Sequence, residues 1–355
     1  MKKALIAMSG GVDSSLAAKI MVERGYECIG CTMKLFQNED AGVERSRTCC
    51  SLDDVEDARS VAYKLGMPFY VFNFTDAFRD EVIHKFVESY ENGITPNPCI
   101  DCNRYMKFGK LLDRARVLGC DCIVTGHYAR IEETDNGFVL KKALDETKDQ
   151  SYVLYSMTQE QLSHTVFPLG GMRKSEVRDI AGSSGFVNAN KPDSQDICFV
   201  PDGDYARVVE MHAGRSFAEG NFVDREGNIL GRHKGIIRYT VGQRRGLGIS
   251  AAEPLYVCEI RPESGEVVLG VSRELLCSTV RAADFNWISG EAPKNEFRCR
   301  AKLRYRQPEQ WVTVTPVGTD EVTLRFDDPQ KAPAPGQAAV LYDGDTVIGG
   351  GTIKK

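Results

Sequence analysis

The first two dozen residues constrain the fold more than any other stretch. Lys3 to Met8 is an apolar run of buried-strand length that breaks at Ser9-Gly10-Gly11. From Ser14 to Arg24 apolar residues return at helical spacing, through Leu16, Ala17, Ile20 and Met21, and Gly25 closes the segment. A second apolar run, Glu27 to Met33, follows directly. The alternation then continues with a helix from Ser51 to Leu65, capped by Ser51 with Asp53 and Asp54 in its first turn. Next come a strand from Phe69 to Phe74, helices from Ala77 to Glu91 and from Asn103 to Leu118, and a strand from Asp121 to Thr125. This order predicts an α/β fold with a doubly wound parallel sheet, whose ligands sit beyond the carboxyl ends of the strands.

At 355 residues the chain is too long for one ordinary domain. Beyond Pro201 helical periodicity fades, and glycine and β-branched residues increase. Phe297 to Gln307, Trp311 to Val317 and Val322 to Phe326 read as antiparallel strands. Ala338 to Asp343 and Thr346 to Ile353 read as a hairpin around Asp343-Gly344-Asp345. The expected division is a catalytic domain over 1–203, a small mixed middle domain over 204–274 and a C-terminal β-barrel over 275–355.

The chain has no run of about 18 uncharged apolar residues, so no membrane-spanning helix is expected. Its N-terminal apolar stretch is too short for a secretory signal, which points to a cytoplasmic protein. A net charge of −5 argues against a nonspecific polyanion binder but leaves room for local basic patches. Without an export signal, the twelve cysteines suggest thiols, metal ligands or catalysts rather than a disulfide framework.

The turn Ser9-Gly10-Gly11-Val12-Asp13-Ser14 lies between the first strand and the first helix. Exposed amides and the positive end of the helix dipole make an anion cradle there. It lacks the Gly-Lys-Ser/Thr of a Walker loop and does not match a dinucleotide fingerprint; without further context, a tight turn with serine caps explains it as well. The turn resembles the loop of the ATP-pyrophosphatase superfamily, whose members bind ATP and release pyrophosphate while adenylating a carbonyl oxygen.

Two Cys-x-x-Cys pairs stand out. Cys28 and Cys31 fall in a strand, where residues three apart face opposite ways, so they read as core rather than zinc ligands. Cys120 and Cys122 read the same way, and Cys49 and Cys50 as a loop packed over the sheet. Cys258, Cys277 and Cys299 carry no signal. Cys99 and Cys102 differ, because they lie in a proline-stiffened loop, Thr95 to Asn103, that enters a helix. A helix N-terminus stabilises a thiolate, so a reactive thiol is expected there. Cys198 lies in a polar loop, Lys191 to Phe199, where a filler role is the ordinary reading.

Six ordered motifs together resemble the tRNA-specific 2-thiouridylases. They are Ala7 to Ser14, Asn97 to Asn103, Thr125 to Tyr128, Lys148 to Tyr152, Asp193 to Phe199 and Gly242 to Ile249. A Pro-Gly-Gln at Pro335 to Gln337 extends the resemblance over nearly the whole chain. It implies that a wobble uridine of tRNA is adenylated at its C2 oxygen by ATP with Mg2+ and then takes up sulfur. Ala7, Met8, Ser9, Gly10, Gly11, Val12, Asp13 and Ser14 would hold the nucleotide, with Met33 and Gly126 beside its adenine. Cys198 would carry a persulfide loaded by an upstream sulfur-donor protein, and Cys102 would attack its inner sulfur. Asn97, Pro98 and Cys99 would face the target base. His127, Lys148, Asp149, Gln150, Arg304, Tyr305 and Gln337 would contact the tRNA.

One departure matters. The best-known members carry an aspartate, a presumed acid/base, at the position of Cys99. With cysteine there, Cys99, Cys102 and Cys198 offer three thiols to a four-iron four-sulfur cluster whose open iron would accept sulfide. The persulfide and cluster routes both remain open from the sequence.

In Phe297 to Arg306 every even position is basic and every odd one apolar or aromatic. On a strand this alternation puts five cations on one face, an arrangement that favours a polyanion partner over a merely solvated face. The rival functions are an ATP-pyrophosphatase acting on a small metabolite and a noncatalytic RNA-binding or cluster-carrying protein. The basic strand disfavours the first, and the intact nucleotide loop disfavours the second.

Overall fold

A computed structural model describes residues 1–37, 40–41, 52–189, 191 and 197–355. Cys49, Cys50, the cap at Ser51 and the motif residues Asp193 to Asp196 lie outside the described residues.

The N-terminal part is a five-stranded sheet flanked by helices. Its strands are β1 (Lys3–Ala7), β2 (Glu27–Lys34), β3 (Phe69–Asn73), β4 (Cys122–Val124) and β7 (Thr165–Val166), in the order β3-β2-β1-β4-β7. Every pairing is parallel, as the alternation of runs and periodic segments predicts. Helices α1 (Val12–Glu23) and α2 (Leu52–Lys64) link β1 to β2 and β2 to β3. The two sides of the sheet feed separate cores. Leu5, Ile29, Cys31 and Ile123 pack with Phe108 and Leu111, whereas Ala4, Ile6, Cys28 and Cys122 pack with Leu16 and Ala58. The period-two projection of strand side chains produces that split.

The remaining helices depart from simple α geometry where the chemistry is expected. α3 (Thr75–Phe78) runs through a π-helical turn (Arg79–Ile83) into α4 (His84–Glu91). α5 (Pro98–Asp101) runs through a π-helical segment (Cys102–Lys110) into α6 (Leu111–Val117). The helix expected from Asn103 therefore begins at Pro98, because proline is pre-set for a first helical turn and its missing N–H costs nothing there.

A hairpin absent from the elements read above, β5 (Ala129–Thr134) and β6 (Gly137–Lys142) around Asp135-Asn136-Gly137, leaves the first sheet and joins the sheet of the C-terminal part. α7 (Gln159–Ser163) and α8 (Lys174–Ser183) complete the first part. α9 (Tyr205–Ala213) precedes a small sheet of β8 (Gly220–Val223), β9 (Ile229–His233), β10 (Leu255–Arg261) and β11 (Glu266–Val271), which mixes parallel and antiparallel pairs.

The last part is a closed barrel of β12 (Leu276–Trp287), β13 (Phe297–Lys302), β14 (Gln310–Val317), β15 (Glu321–Lys331), β16 (Ala338–Asp343) and β17 (Thr346–Ile353). Pairing of β12 with both β15 and β17 closes it, which leaves the barrel itself no free edge. The barrel is not a separate body. Ala338, Val340, Tyr342 and Val347 share one apolar core with Ile100, Phe108 and Tyr152. No helix among the described residues is long and apolar enough to cross a membrane.

β13 is shorter than its alternation suggests. Arg298, Arg300 and Lys302 lie on the strand, but Leu303 to Gln307 form the reversal that brings β14 back alongside it. The five-cation face is therefore corrected to three. These three are also partly neutralised: Arg298 pairs with Asp327, and Lys302 lies 4.0 Å from Glu309. Arg298 and Arg300 stack over the half-exposed Trp311, at 5.7 and 5.0 Å from the ring centre.

Candidate active site

Chain order places a switch point between β1 and β4. The chain moves from β1 to β2 and β3 on one side, then returns to lay β4 on the other. In open α/β sheets the loops leaving the two strands at such a point are where a ligand commonly binds. Ser9 to Ser14 and Gly126 to Tyr128 are those two loops.

In the first loop Gly10 adopts φ +74° and Gly11 caps α1. The Ser14 hydroxyl donates to Gly11 O at 3.0 Å and accepts from Ser9 N at 3.2 Å, so the turn is held from within. Asn188, buried, donates to Gly10 O and Ser15 Oγ, both at 2.9 Å. The first-turn amides of α1, which lack helical partners, are left for an anion. Ala7 ends β1, Met8 is buried beneath the loop and Val12 opens α1. Gly126 lies against this backbone so closely that a Cβ would come within 2.9 Å of Asp13 C and Ser14 N. Met33 sits near the carboxyl end of β2, at the edge of two cores.

Asp13 is the centre of a network that no sequence signal announces. Lys174, buried at the start of α8, reaches both carboxylate oxygens at 2.7 Å, and the Tyr128 hydroxyl donates to Oδ1 at 2.8 Å. A buried ammonium therefore stands beside the anion cradle, although 161 residues separate it from the loop. Gln150 Oε1 accepts from Tyr128 N at 2.9 Å, and Gln150 N donates back to Tyr128 O at 2.9 Å. Asp149 accepts from Ala143 N, Ser151 N and the Ser151 hydroxyl, and its carbonyl accepts from the Tyr305 hydroxyl at 2.8 Å. Lys148, half-buried, leads into this knot.

The thiols occupy the next region. Cys99 is exposed and Cys102 buried. Cys102 belongs to a core with Phe78, Phe86 and Met106, and Cys198 packs against the same core beside Phe199. The structure thus brings Cys102 and Cys198 to one apolar cluster, 96 positions apart in sequence. The reactive thiol expected at Cys102 is corrected in its resting state. Burial pushes its pKa up to about 11 and outweighs any help from the helix end.

Lys107 opposes that shift. Residues five apart stand about 140° apart around an α-helix but are stacked by the i to i+5 bonding of a π-helix. The π-helical register over Cys102–Lys110 accordingly swings Lys107 towards the Cys102 side. The Lys107 ammonium lies 3.2 Å from His127 Nε2, and His127 Nδ1 lies 2.7 Å from the Thr125 hydroxyl. His127 is buried, and its pKa is held well below the ordinary value by burial and then by Lys107. It is therefore neutral at pH 7, with Nε2 accepting from the ammonium and Nδ1–H donating to Thr125.

Several of the residues expected to meet tRNA already have much of their polar capacity engaged within the chain. Arg304 donates to Ala332 O at 2.8 Å and to Val241 O at 3.3 Å. Tyr305 packs edge-on against Tyr152, and its pKa is raised by burial and by the neighbouring Asp149 and Cys99. Gln337 donates to Thr95 O and Pro96 O, just ahead of Asn97 and the buried Pro98. Asn97 caps α5 through its backbone without spending its side chain on the cap. Among the described residues no group of three His, Cys, Asp or Glu side chains is arranged to hold a metal ion. Cys99, Cys102 and Cys198 thus do not form a ligand set in this conformation.

Three family models match consecutive parts of the chain. A tRNA methyl transferase HUP domain matches residues 2–202, a tRNA methyl transferase PRC-barrel domain residues 207–271, and an aminomethyltransferase beta-barrel domain residues 277–353. A tRNA-specific 2-thiouridylase of Clostridioides difficile is 49% identical over 356 residues, covering 100% of this chain and 98% of that one. Another, of Lachnoclostridium phytofermentans, is 50% identical with 100% of both chains covered. A solved 4-thiouridine synthetase–RNA complex with bound ATP aligns with 56% of this chain and 45% of that chain at 18% identity and a TM-score of 0.34.

Proposed function

The chain belongs to the tRNA-specific 2-thiouridylase family, and from that premise we propose that it is the ATP-dependent sulfurtransferase that converts the wobble uridine of tRNA to 2-thiouridine. The carrying observation is the placement of Cys102 and Cys198 on one apolar cluster in the domain whose switch point holds the Ser9 to Ser14 loop. The matched family models are described in terms of methyl transfer. Methyl transfer has no use for a pyrophosphatase-type loop together with two thiols on one cluster, so sulfur transfer is the better reading.

The C2 oxygen of uracil is a poor leaving group. Its attack on the α-phosphorus of ATP expels pyrophosphate into the cradle of α1 amides, with Lys174 at hand as the buried cation. Mg2+ bound with the ATP phosphates would offset the charge of the departing pyrophosphate; Asp13 would hold the ion only by giving up contacts of its oxygens with Lys174 and Tyr128. Cys102, as thiolate, attacks Sγ of a Cys198 persulfide. The S–S bond breaks, hydrosulfide leaves, and a Cys102–Cys198 disulfide forms. Hydrosulfide adds at C2, and AMP departs with the original oxygen. The target base has to leave its stack to present that edge, with Asn97, Pro98 and Cys99 as the surface it meets. His127, Lys148, Asp149, Gln150, Arg304 and Tyr305 would supply the contacts to tRNA.

We favour the persulfide route, which needs only Cys102 and Cys198 to meet, over the cluster route, which also needs the exposed Cys99 on the same iron site. The division into 1–203, 204–274 and 275–355 is proposed with the same assignment, as are the upstream sulfur donor and a cytoplasmic setting.

Incubation with unmodified tRNA, ATP and a sulfur source should yield 2-thiouridine and pyrophosphate together. Lys174→Met should lower pyrophosphate release about 100-fold, the scale of removing one preorganised charge-stabilising group. Methylated nucleoside with no 2-thiouridine would overturn the reading.

A further inference from the structure

Two contacts from the barrel bracket the turn that carries Cys99 and Cys102. Ahead of it, Thr95 N donates to Pro335 O at 2.9 Å, and Gln337 Nε2 donates to Thr95 O at 2.9 Å and Pro96 O at 3.2 Å. The Pro335–Gln337 turn is itself fixed in the barrel wall. Gly336 N donates to Ile353 O at 2.9 Å, Ile353 N to Gln337 O at 2.8 Å and Gln337 N to Ala334 O at 3.2 Å. Gly336 has φ +89°, and a Cβ there would fall 2.3 Å from Ile94 Cγ2 and 2.8 Å from Thr95 O. No other residue lets the turn approach the loop so closely.

The loop depends on this external hold. Pro96 and Pro98 remove two of the four amide donors between Thr95 and Pro98, so the segment has few backbone donors with which to hold itself. Its carbonyls are the available handles, and Gln337 takes two of them. Behind the turn, Arg104 forms a two-point pair with Asp284 of β12, one arm at 3.0 Å. Asp284 has φ +50° and lies in the irregular stretch between Ala283 and Asn286. Bulged strands of this kind re-aim a side chain.

We infer that the barrel is a structural half of the sulfur-transfer site, with Gln337 and Asp284 as positioning residues that hold the Cys99–Cys102 turn from both ends. Both amide hydrogens of Gln337 are committed to the loop, so its donors are not offered to RNA. This inference rests on reading Cys102 as the attacking thiol, and it gives Gln337 a role other than tRNA contact.

The test uses the full chain without tRNA or ATP. Gln337→Met keeps the length of the side chain and loses both donors; Asp284→Asn keeps the shape and loses the charge. Amide exchange of the peptide spanning 94–104 should speed up about tenfold in Gln337→Met and about threefold in Asp284→Asn, the mark of easier local opening. In thiolation assays, kcat should fall about tenfold in Gln337→Met while tRNA affinity at fixed salt stays within about twofold. Unchanged exchange in both variants would overturn the inference, as would a loss confined to tRNA affinity. The exchange arm involves no turnover, so an inactive wild-type protein would count against the functional reading alone.

Discussion

The two Cys-x-x-Cys pairs have the same spacing and opposite fates. On β2, Cys28 faces the core built by α1 and α2, while Cys31 faces the core shared with the barrel. On the helix from Pro98, Cys99 and Cys102 lie one turn apart, the first open to solvent and the second at the cluster that Cys198 also touches. Spacing becomes geometry only once the secondary structure is known, because three residues are nearly a full turn of helix but one and a half periods of a strand. Nor does proton affinity separate Cys28 from Cys102. Burial pushes both Cys28 and Cys102 up to about 11. The difference is the neighbour: Lys107 draws the Cys102 thiol down, whereas Cys120 adds to the rise at Cys28.

The sharpest way to break the comparison is to exchange the pairs' fates. Cys102→Ala and Cys198→Ala should each abolish 2-thiouridine formation, a loss of at least about 1000-fold, because no other group supplies the attacking or the carrying sulfur. Cys28→Ala and Cys31→Ala should turn over at nearly the wild-type rate. A dead Cys31→Ala that still folds would refute the distinction.

A smaller effect isolates Lys107. Thiolate, not thiol, reacts with iodoacetamide. Below its pKa, the Cys102 thiolate fraction rises about tenfold per pH unit, so alkylation should climb from pH 7 and level off near 11. Removing the opposing cation raises that pKa further. Lys107→Met should therefore alkylate more slowly at pH 8, by about tenfold for each unit of added shift, and Lys107→Arg should recover part of the rate. Identical pH profiles for wild type and Lys107→Met would show that the ammonium does not act on this sulfur.

The smallest effect is on stability. Cys31→Ala should cost about 1 kcal/mol in denaturant unfolding, the loss of one well-packed buried atom. Cys99→Ala, at an exposed position, should cost nothing measurable.

Local pattern carried much of the fold. The strand–turn–helix at Lys3 to Arg24 and the hairpin at Asp343-Gly344-Asp345 depend on neighbours in sequence, and both stand where the periodicity puts them. The alternation in Phe297 to Arg306 misled in one respect, since a period-two pattern does not record where the chain has to turn back. The π-helical register that rotates Lys107 left no trace in composition. The β5–β6 hairpin is local and is signalled by Asp135-Asn136-Gly137, whereas its junction with β17, about 200 residues downstream, is not.

By itself, the sequence determined the parallel sheet, the glycine-rich turn after its first strand and which cysteines a strand would bury, because those follow from residue periodicity and backbone conformation. Tertiary structure alone decided that Lys174 would stand on Asp13, that Cys102 and Cys198 would meet one cluster, and that Gln337 and Asp284 would grip the turn between Thr95 and Arg104. Each of those contacts joins residues from roughly one hundred to over two hundred positions apart, and a distance of that kind is set by how sheets and barrel pack, not by any pattern along the chain.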